Sequence, residues 1–347
     1  MIRKVLWASL LLAPITIAVD KLTGAGDVTL FVLAAIALVP LAWLIGEATE
    51  HAAEHTGPGI GGFLNASFGN APELIVALFA VGANLPVVVR GSLSGSVISN
   101  LLLVYGVTQV AGPDGARIDR RSLLLQIGLV GAAVVAFALP TALGYTGAPE
   151  GHTVVVASIP VVIVLLLLYL AVVGRNLRRH RASAREEEPS EGTWSLSAAL
   201  VALAVATGAT AWVSEVLVHS LHAFAEAVGL SEFFIAVVIV AIVGNAAEHG
   251  GAILIARGGK MELATEIAIS SSAQVALLVV PVVMLLSLLF SHHLALSFRW
   301  TELVAMAGAT VLVGATVWDG RSHRREGMFL VAAYAAAVVG FLLGGGR

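Results

Sequence analysis

Gly69-Asn70-Ala71-Pro72-Glu73 recurs as Gly244-Asn245-Ala246-Ala247-Glu248, so the chain twice sets a carboxylate behind a Gly-Asn pair within an apolar run. An ionisable side chain at bilayer depth is costly and marks a functional site by default. If Glu73 and Glu248 face one low-dielectric cavity, two unpaired negative charges there are prohibitive, and the empty site is expected to hold protons. A divalent cation neutralises the same pair, so cation and protons compete for it. Where the protein changes access only when the site is neutral, that competition becomes obligatory exchange. The amides of Asn70, Asn245 and Gln274, the hydroxyls of Ser96 and Ser271, backbone carbonyls and water could complete an all-oxygen shell of about 6–8 ligands, which suits calcium. The chain has no cysteine, and His249 is the only imidazole beside a motif glutamate, which disfavours a soft transition-metal site.

The elements that position these residues are membrane helices. Of 347 residues, 58% are hydrophobic and 12% charged, and the mean hydropathy is +0.95. That predicts an all-α polytopic membrane protein. Runs long enough to cross a hydrocarbon core give about eleven transmembrane helices: 3–19, 28–55, 60–82, 87–111, 121–141, 152–174, 194–225, 232–256, 261–290, 300–318 and 327–344. With the N-terminus inside, 15 of the 19 lysines and arginines fall in inner segments, leaving Lys21, Arg90, Arg299 and Arg347 outside. This is the bias that orients membrane proteins, and it puts the C-terminus outside. Arg3-Lys4 and the apolar run after them resemble a signal peptide, but no small-x-small cleavage pattern follows, so a retained helix is expected. The net charge of −3 says little, and no nucleic-acid partner is expected.

Glu73 and Glu248 are 175 residues apart, and the same offset carries Ser96 onto Ser271 and Ser99 onto Gln274. Upstream, Glu47 and His51 match Glu215 and His219 at an offset of 168. Each unit holds five helices, an odd number, so the second crosses in the opposite sense. The prediction is two inverted five-helix repeats plus an extra N-terminal helix, with a site near the midplane where broken helices meet. Pro72 within the predicted helix 60–82 is expected to break it and free carbonyls near Asn70. The boundaries are 1–27 for the first helix and loop, 28–174 and 194–347 for the repeats, and 175–193 for a charged cytoplasmic linker. The linker's Glu186, Glu187, Glu188 and Glu191 read as solvated.

Glu47, His51 and His55 share one helical face, and Glu215, His219 and His222 form a similar stripe. Glu47, His51, Glu215, His219 and His249 are candidates for a proton pathway or gate, against the plainer reading of water-exposed helix ends. His51-Ala52-Ala53-Glu54-His55 also matches an inverted zinc-protease signature, making a membrane metallopeptidase the competing function. That motif explains neither the repeat nor the buried glutamates.

Gly-Asn-Ala-Pro-Glu-Leu-Ile-Val-Ala-Leu at 69–78, Gly-Ser-Leu-Ser-Gly-Ser-Val-Ile-Ser-Asn-Leu-Leu-Leu-Val at 91–104 and Val-Gly-Asn-Ala-Ala-Glu-His at 243–249 together resemble the cation/proton exchanger branch of the calcium:cation antiporter superfamily. Asn65-Ala66-Ser67-Phe68, Ser271 to Leu277, Asp319-Gly320-Arg321-Ser322 and Glu326-Gly327 extend the likeness over roughly residues 28–345. The resemblance implies an eleven-helix calcium/proton antiporter in which Glu73 and Glu248 bind calcium and accept protons. It implies a transporter, not an enzyme, with no cofactor and with calcium, protons and the bilayer as partners, and it implies no particular oligomer. The sodium/calcium branch usually shows Gly-Thr/Ser-Ser in its first motif and extra acidic residues in the later helix. Gly-Asn-Ala and serines stand here instead, which favours protons, with a sodium-coupled or broader-specificity exchanger of the same fold as the alternative. Short loops point to a prokaryotic plasma membrane. His249 faces Leu74 in the repeat register, so the two half-sites are not chemically equivalent.

Overall fold

The computed structural model describes residues 2–145, 148–183 and 194–344, and, of these, not the side chains of residues 2–3, 57–63, 65–66 and 175–183. The helices are α1 (Ile2–Ser9), α2 (Leu12–Leu22), α3 (Asp27–Phe68), α4 (Ala71–Gly82), α5 (Pro86–Ala111), α6 (Arg120–Tyr145), α7 (His152–Ser183), α8 (Leu196–Val228), α9 (Glu232–Gly244), α10 (Ala246–Arg257), α11 (Met261–Ser287), α12 (Trp300–Val317) and α13 (Arg324–Gly344). Nine spans among the described residues are long and apolar enough to cross a membrane, counting α1 and α2 together over Lys4–Leu22, and the pair α9 and α10, bent by 56°, makes a tenth.

The remaining passage is hidden in α3. Forty-two residues would form a straight rod of about 60 Å, yet Ala71 shares an apolar cluster with Leu44, Ile45 and Ala48. The chain beyond Phe68 is therefore back at the depth of residues 44–48, so the helical run reverses and α4 completes the return. The predicted helix 60–82 exists as this returning limb, broken at Gly69-Asn70 rather than by Pro72. Pro72 stands in the first turn of α4, where its missing N–H costs nothing.

Two further boundaries differ from the sequence reading. The first helix is two pieces, α1 and α2, on the periphery, with Val5, Leu11 and Ile15 exposed. Helix α7 continues to Ser183, so the start of the charged linker is helical, while the acidic run around Glu188 lies outside the described residues, as does Arg347.

The repeat is visible in backbone geometry. Asn70 and Asn245 take almost the same conformation, φ −96°, ψ 13° and φ −95°, ψ 4°, each capping a twelve-residue half-helix. Helices α5 and α11 each loosen into a π-helical stretch, Ser99–Val104 and Val275–Val279, at positions that coincide under the offset of 175. Inversion follows from α3 and α8. Phe31 stacks on Phe224 with centroids 4.1 Å apart at one end, and His55 Nε2 donates to the Trp194 carbonyl at 2.6 Å at the other. The first long helices of the two repeats thus run antiparallel.

Connecting loops sort onto two faces as the charge bias predicts. Short strands β1 (Ala116–Arg117) and β2 (Arg321–Ser322) pair antiparallel, and Asp114 accepts from the Arg324 backbone N–H at 2.8 Å. On the opposite face Arg90 pairs with Glu150, whose other oxygen accepts from Ala295 N–H at 2.9 Å. Close helix crossings rely on glycine. A Cβ on Gly95 would stand 2.1 Å from the Val237 carbonyl oxygen, so α5 meets α9 backbone to backbone.

Candidate functional site

The two broken passages bring their half-helices α4 and α10 to the interior. Glu73 and Glu248 are each the third residue of their half-helix. The free N–H groups and dipole of a helix start attract negative charge, so both acidic side chains sit where a half-helix is most electropositive. The carboxylates are close enough for their charges to interact.

The halves are tied crosswise. Asn70 Nδ2 donates to Gln274 Oε1 at 2.7 Å, joining the first motif to α11. Asn245 Nδ2 donates to Ser96 Oγ at 2.8 Å, joining the second motif to α5. Each motif asparagine therefore binds the serine- or glutamine-bearing helix of the other repeat, as a pseudo-two-fold arrangement demands. Ser271 Oγ donates to Glu248 Oε2. Glu73, Asn70, Ser96, Asn245 and Ser271 are buried, and Glu248 and Gln274 half-buried.

The glutamates differ in what holds them. Neither oxygen of Glu73 has a hydrogen-bond partner among the described residues. A buried polar atom left unpaired is expensive and calls for an explanation such as an ion, a proton or water. Glu302 gives the contrast: it is equally buried, yet it accepts from Ser94 Oγ at 2.6 Å and from the Arg299 backbone N–H at 2.7 Å. Glu266 likewise accepts from Ser122 at 2.8 Å and from Gln126. Those two carboxylates lock helices together, whereas Glu73 is left open in the centre.

Of the five gate candidates, His249 enters this network, its Nε2 lying 3.0 Å from Asn100 Oδ1. Glu215 and His219 are exposed on α8, and His219 Nδ1 donates to the Glu215 backbone carbonyl at 2.9 Å. His51 lies 3.6 Å from Glu47 and stacks on Trp194. With His55 hydrogen-bonded to the Trp194 carbonyl, both histidines of the protease-like motif are engaged by one tryptophan, and the described residues hold no cluster of three or more His, Cys, Asp or Glu suited to a metal.

Asn100 is the residue that the repeat argument passes over. It is buried and donates to Asn245 Oδ1 at 3.2 Å and to Ser271 Oγ at 3.0 Å. Its counterpart at the offset of 175 is Val275, so duplication gives no signal for it. A polar side chain within the apolar run Val97 to Val104 is the signal that could have found it.

Known proteins share the sequence and fold of this chain. The chain is 41% identical over 328 residues to the Ca(2+)/H(+) antiporter ChaA of Bacillus subtilis, covering 90% of this chain and 92% of that protein. It is 35% identical over 368 residues to a Ca(2+)/H(+) antiporter of Synechocystis, covering 97% of each. Among solved structures, native YfkE superposes with a TM-score of 0.82 at 38% identity, covering 95% of this chain and 97% of its own. The H+/Ca2+ exchanger CAX, at 16% identity and a TM-score of 0.76 over 98% of this chain and 92% of its own, shares the fold. Residues 27–177 and 198–343 match the sodium/calcium exchanger protein profile, and the chain belongs to that family of membrane transporters.

Proposed function

We propose that this chain is a calcium/proton antiporter working by alternating access, with Glu73 and Glu248 shared between one calcium ion and the protons that replace it. The observation that carries the reading is Glu73, a buried carboxylate with two unpartnered oxygens beside a second acidic side chain. Calcium satisfies both carboxylates at once, and hard oxygen donors from Asn70, Asn245, Ser96, Ser271 and Gln274 match its preference. Protons satisfy the same atoms when calcium leaves. The names of the Bacillus and Synechocystis relatives support the same exchange.

The positive-inside bias and the bacterial relatives support a prokaryotic plasma membrane, with the N-terminus cytoplasmic and the C-terminus outside. Calcium flux in proteoliposomes, with pH and sodium gradients imposed separately, tests the assignment. Uptake driven by the pH gradient alone is expected, and uptake that needs sodium overturns it.

A further inference from the structure

Two positions at the site break the repeat symmetry, and they touch each other. His249 corresponds to Leu74 and Asn100 to Val275 at the offset of 175, so an apolar pair in one half stands where a hydrogen-bonded pair stands in the other.

The direction of every bond in this network follows from one fixed point. The Ala241 carbonyl oxygen can only accept, and Asn245 Nδ2 lies 2.8 Å from it. That orients the Asn245 amide and leaves its Oδ1 as an acceptor for Asn100 Nδ2 at 3.2 Å. The Asn100 amide is thereby oriented too, with its Oδ1 toward His249, so the ring nitrogen Nε2 at 3.0 Å carries the hydrogen and donates. The second hydrogen of Asn100 Nδ2 goes to Ser271 Oγ at 3.0 Å. Ser271 accepts there with one of its two lone pairs and gives its own hydrogen to Glu248 Oε2. Four side chains in series, His249, Asn100, Ser271 and Glu248, are thus locked in one orientation by a backbone carbonyl at the helix break.

We propose that Asn100, held by His249, is a positioning residue that fixes Glu248 through Ser271, making Glu248 the standing half of the cation site and leaving Glu73 as the half that reorients. This rests on the reading of Glu73 and Glu248 as a shared cation site. The asymmetry is functional in kind: a preorganised ligand lowers the ordering cost of binding, while an unheld one can follow the ion. Groups that orient a metal ligand typically change affinity by about 10–100-fold when removed.

The test is a double-mutant cycle on calcium uptake in proteoliposomes. Asn100→Val, the residue of the other half, is expected to raise the calcium KM about tenfold with a smaller change in maximal rate. Ser271→Ala, which cuts the chain one link later and also removes a hydroxyl oxygen from the site, is expected to raise the KM at least as much, and the two combined to be no worse than Ser271→Ala alone. Asn100→Val with His249→Leu restores the apolar pairing of the other half, and its KM is expected to match that of Asn100→Val, because His249 acts only through Asn100. Ser272→Ala, whose hydroxyl bonds the Ala268 carbonyl instead, serves as the control for folding and is expected to retain the parent KM. A KM within twofold of the parent for Asn100→Val, or effects of Asn100→Val and Ser271→Ala that multiply, overturns the proposal. If Asn100→Val does not fold, the Ser271→Ala and His249→Leu cycle decides alone: non-multiplying effects support the chain and multiplying effects reject it. Failure of the parent protein to exchange calcium for protons would instead reject the transport assignment, leaving the cycle to be read on whichever cation it carries.

Discussion

The Glu73 side chain rests against Gly244, the first residue of the opposite motif: a Cβ there would stand 3.5 Å from Glu73 Cγ and 3.9 Å from its Oε1. Those separations are ordinary van der Waals contacts, so alanine fits at 244 without moving the backbone. Its methyl group would nevertheless occupy space beside the carboxylate that an ion needs. Gly244→Ala is expected to fold and insert normally while weakening apparent calcium affinity about fivefold, equivalent to about 1 kcal/mol. Uptake measured against calcium concentration checks it, and an unchanged KM removes Gly244 from the wall of the site.

Replacing either glutamate by glutamine keeps the size and one oxygen but removes the charge that alternates between proton and calcium. Glu73→Gln and Glu248→Gln are each expected to reduce exchange by about 100-fold or more, since a buried cation then lacks half of its neutralising charge. Size-exclusion profiles in detergent should match the parent. Glu54→Gln, in the protease-like motif, is expected to retain exchange. Near-normal flux in either motif variant would take that glutamate out of the shared site.

The sequence marks the candidate site where its chemistry is duplicated and is silent where it is not. The Gly-Asn-x-x-Glu pair, Ser96, Ser271 and Gln274 all lie where one register of 175 residues predicts, and crosswise bonds from Asn70 and Asn245 join them. Asn100 has no polar counterpart, so the same logic missed it. Glu47, His51, Glu215 and His219 also follow a repeat, yet their spacing describes only a helix face. Which way that face points depends on packing, and α8 turns Glu215 and His219 outward. The apolar pattern over 28–82 implies two passages, and Gly57-Pro58-Gly59 between them is the turn signal, although the backbone there stays helical.

Gly95 supplies a test of the fold separate from the chemistry. Any side chain there meets the Val237 carbonyl oxygen at 2.1 Å and Ala241 Cβ at 2.8 Å, and neither partner is a flexible chain end. Gly95→Ala is expected to push α5 away from α9 at a cost of about 1–3 kcal/mol or more. A lowered thermal midpoint in detergent, beyond any shift caused by Gly208→Ala in open space, is the predicted signature.

Sidedness can be read with single cysteines, since the chain has none of its own. Asp114 lies on the face of the β1 and β2 pairing, and His292 is in the exposed loop after α11 on the face of the Arg90 and Glu150 pair. Asp114→Cys is expected to react with an impermeant thiol reagent only after the membrane is opened, and His292→Cys in intact cells. Equal labelling of both from one side would contradict the inverted arrangement and the orientation drawn from the basic residues.

The coupling ion leaves the most direct trace. If Glu73 and Glu248 exchange calcium for protons, an acid-inside gradient in sodium-free proteoliposomes drives calcium inward, and added calcium releases protons from the lumen. The sign of the pH dependence follows from occupancy: acidifying the calcium-loading side fills the carboxylates with protons, so more calcium is needed to displace them. The apparent KM is then expected to rise as pH falls, with a limiting slope of about tenfold per pH unit for each proton displaced. Acidifying the opposite side has the reverse effect on net uptake, because protons there help calcium leave and return the site. Fluorescent calcium and pH indicators trapped in the same vesicles read both fluxes together. A calcium flux that ignores the pH gradient and follows an imposed sodium gradient would replace the proton as the exchanged ion, while the crosswise Asn70 and Asn245 bonds would still define where the exchange takes place.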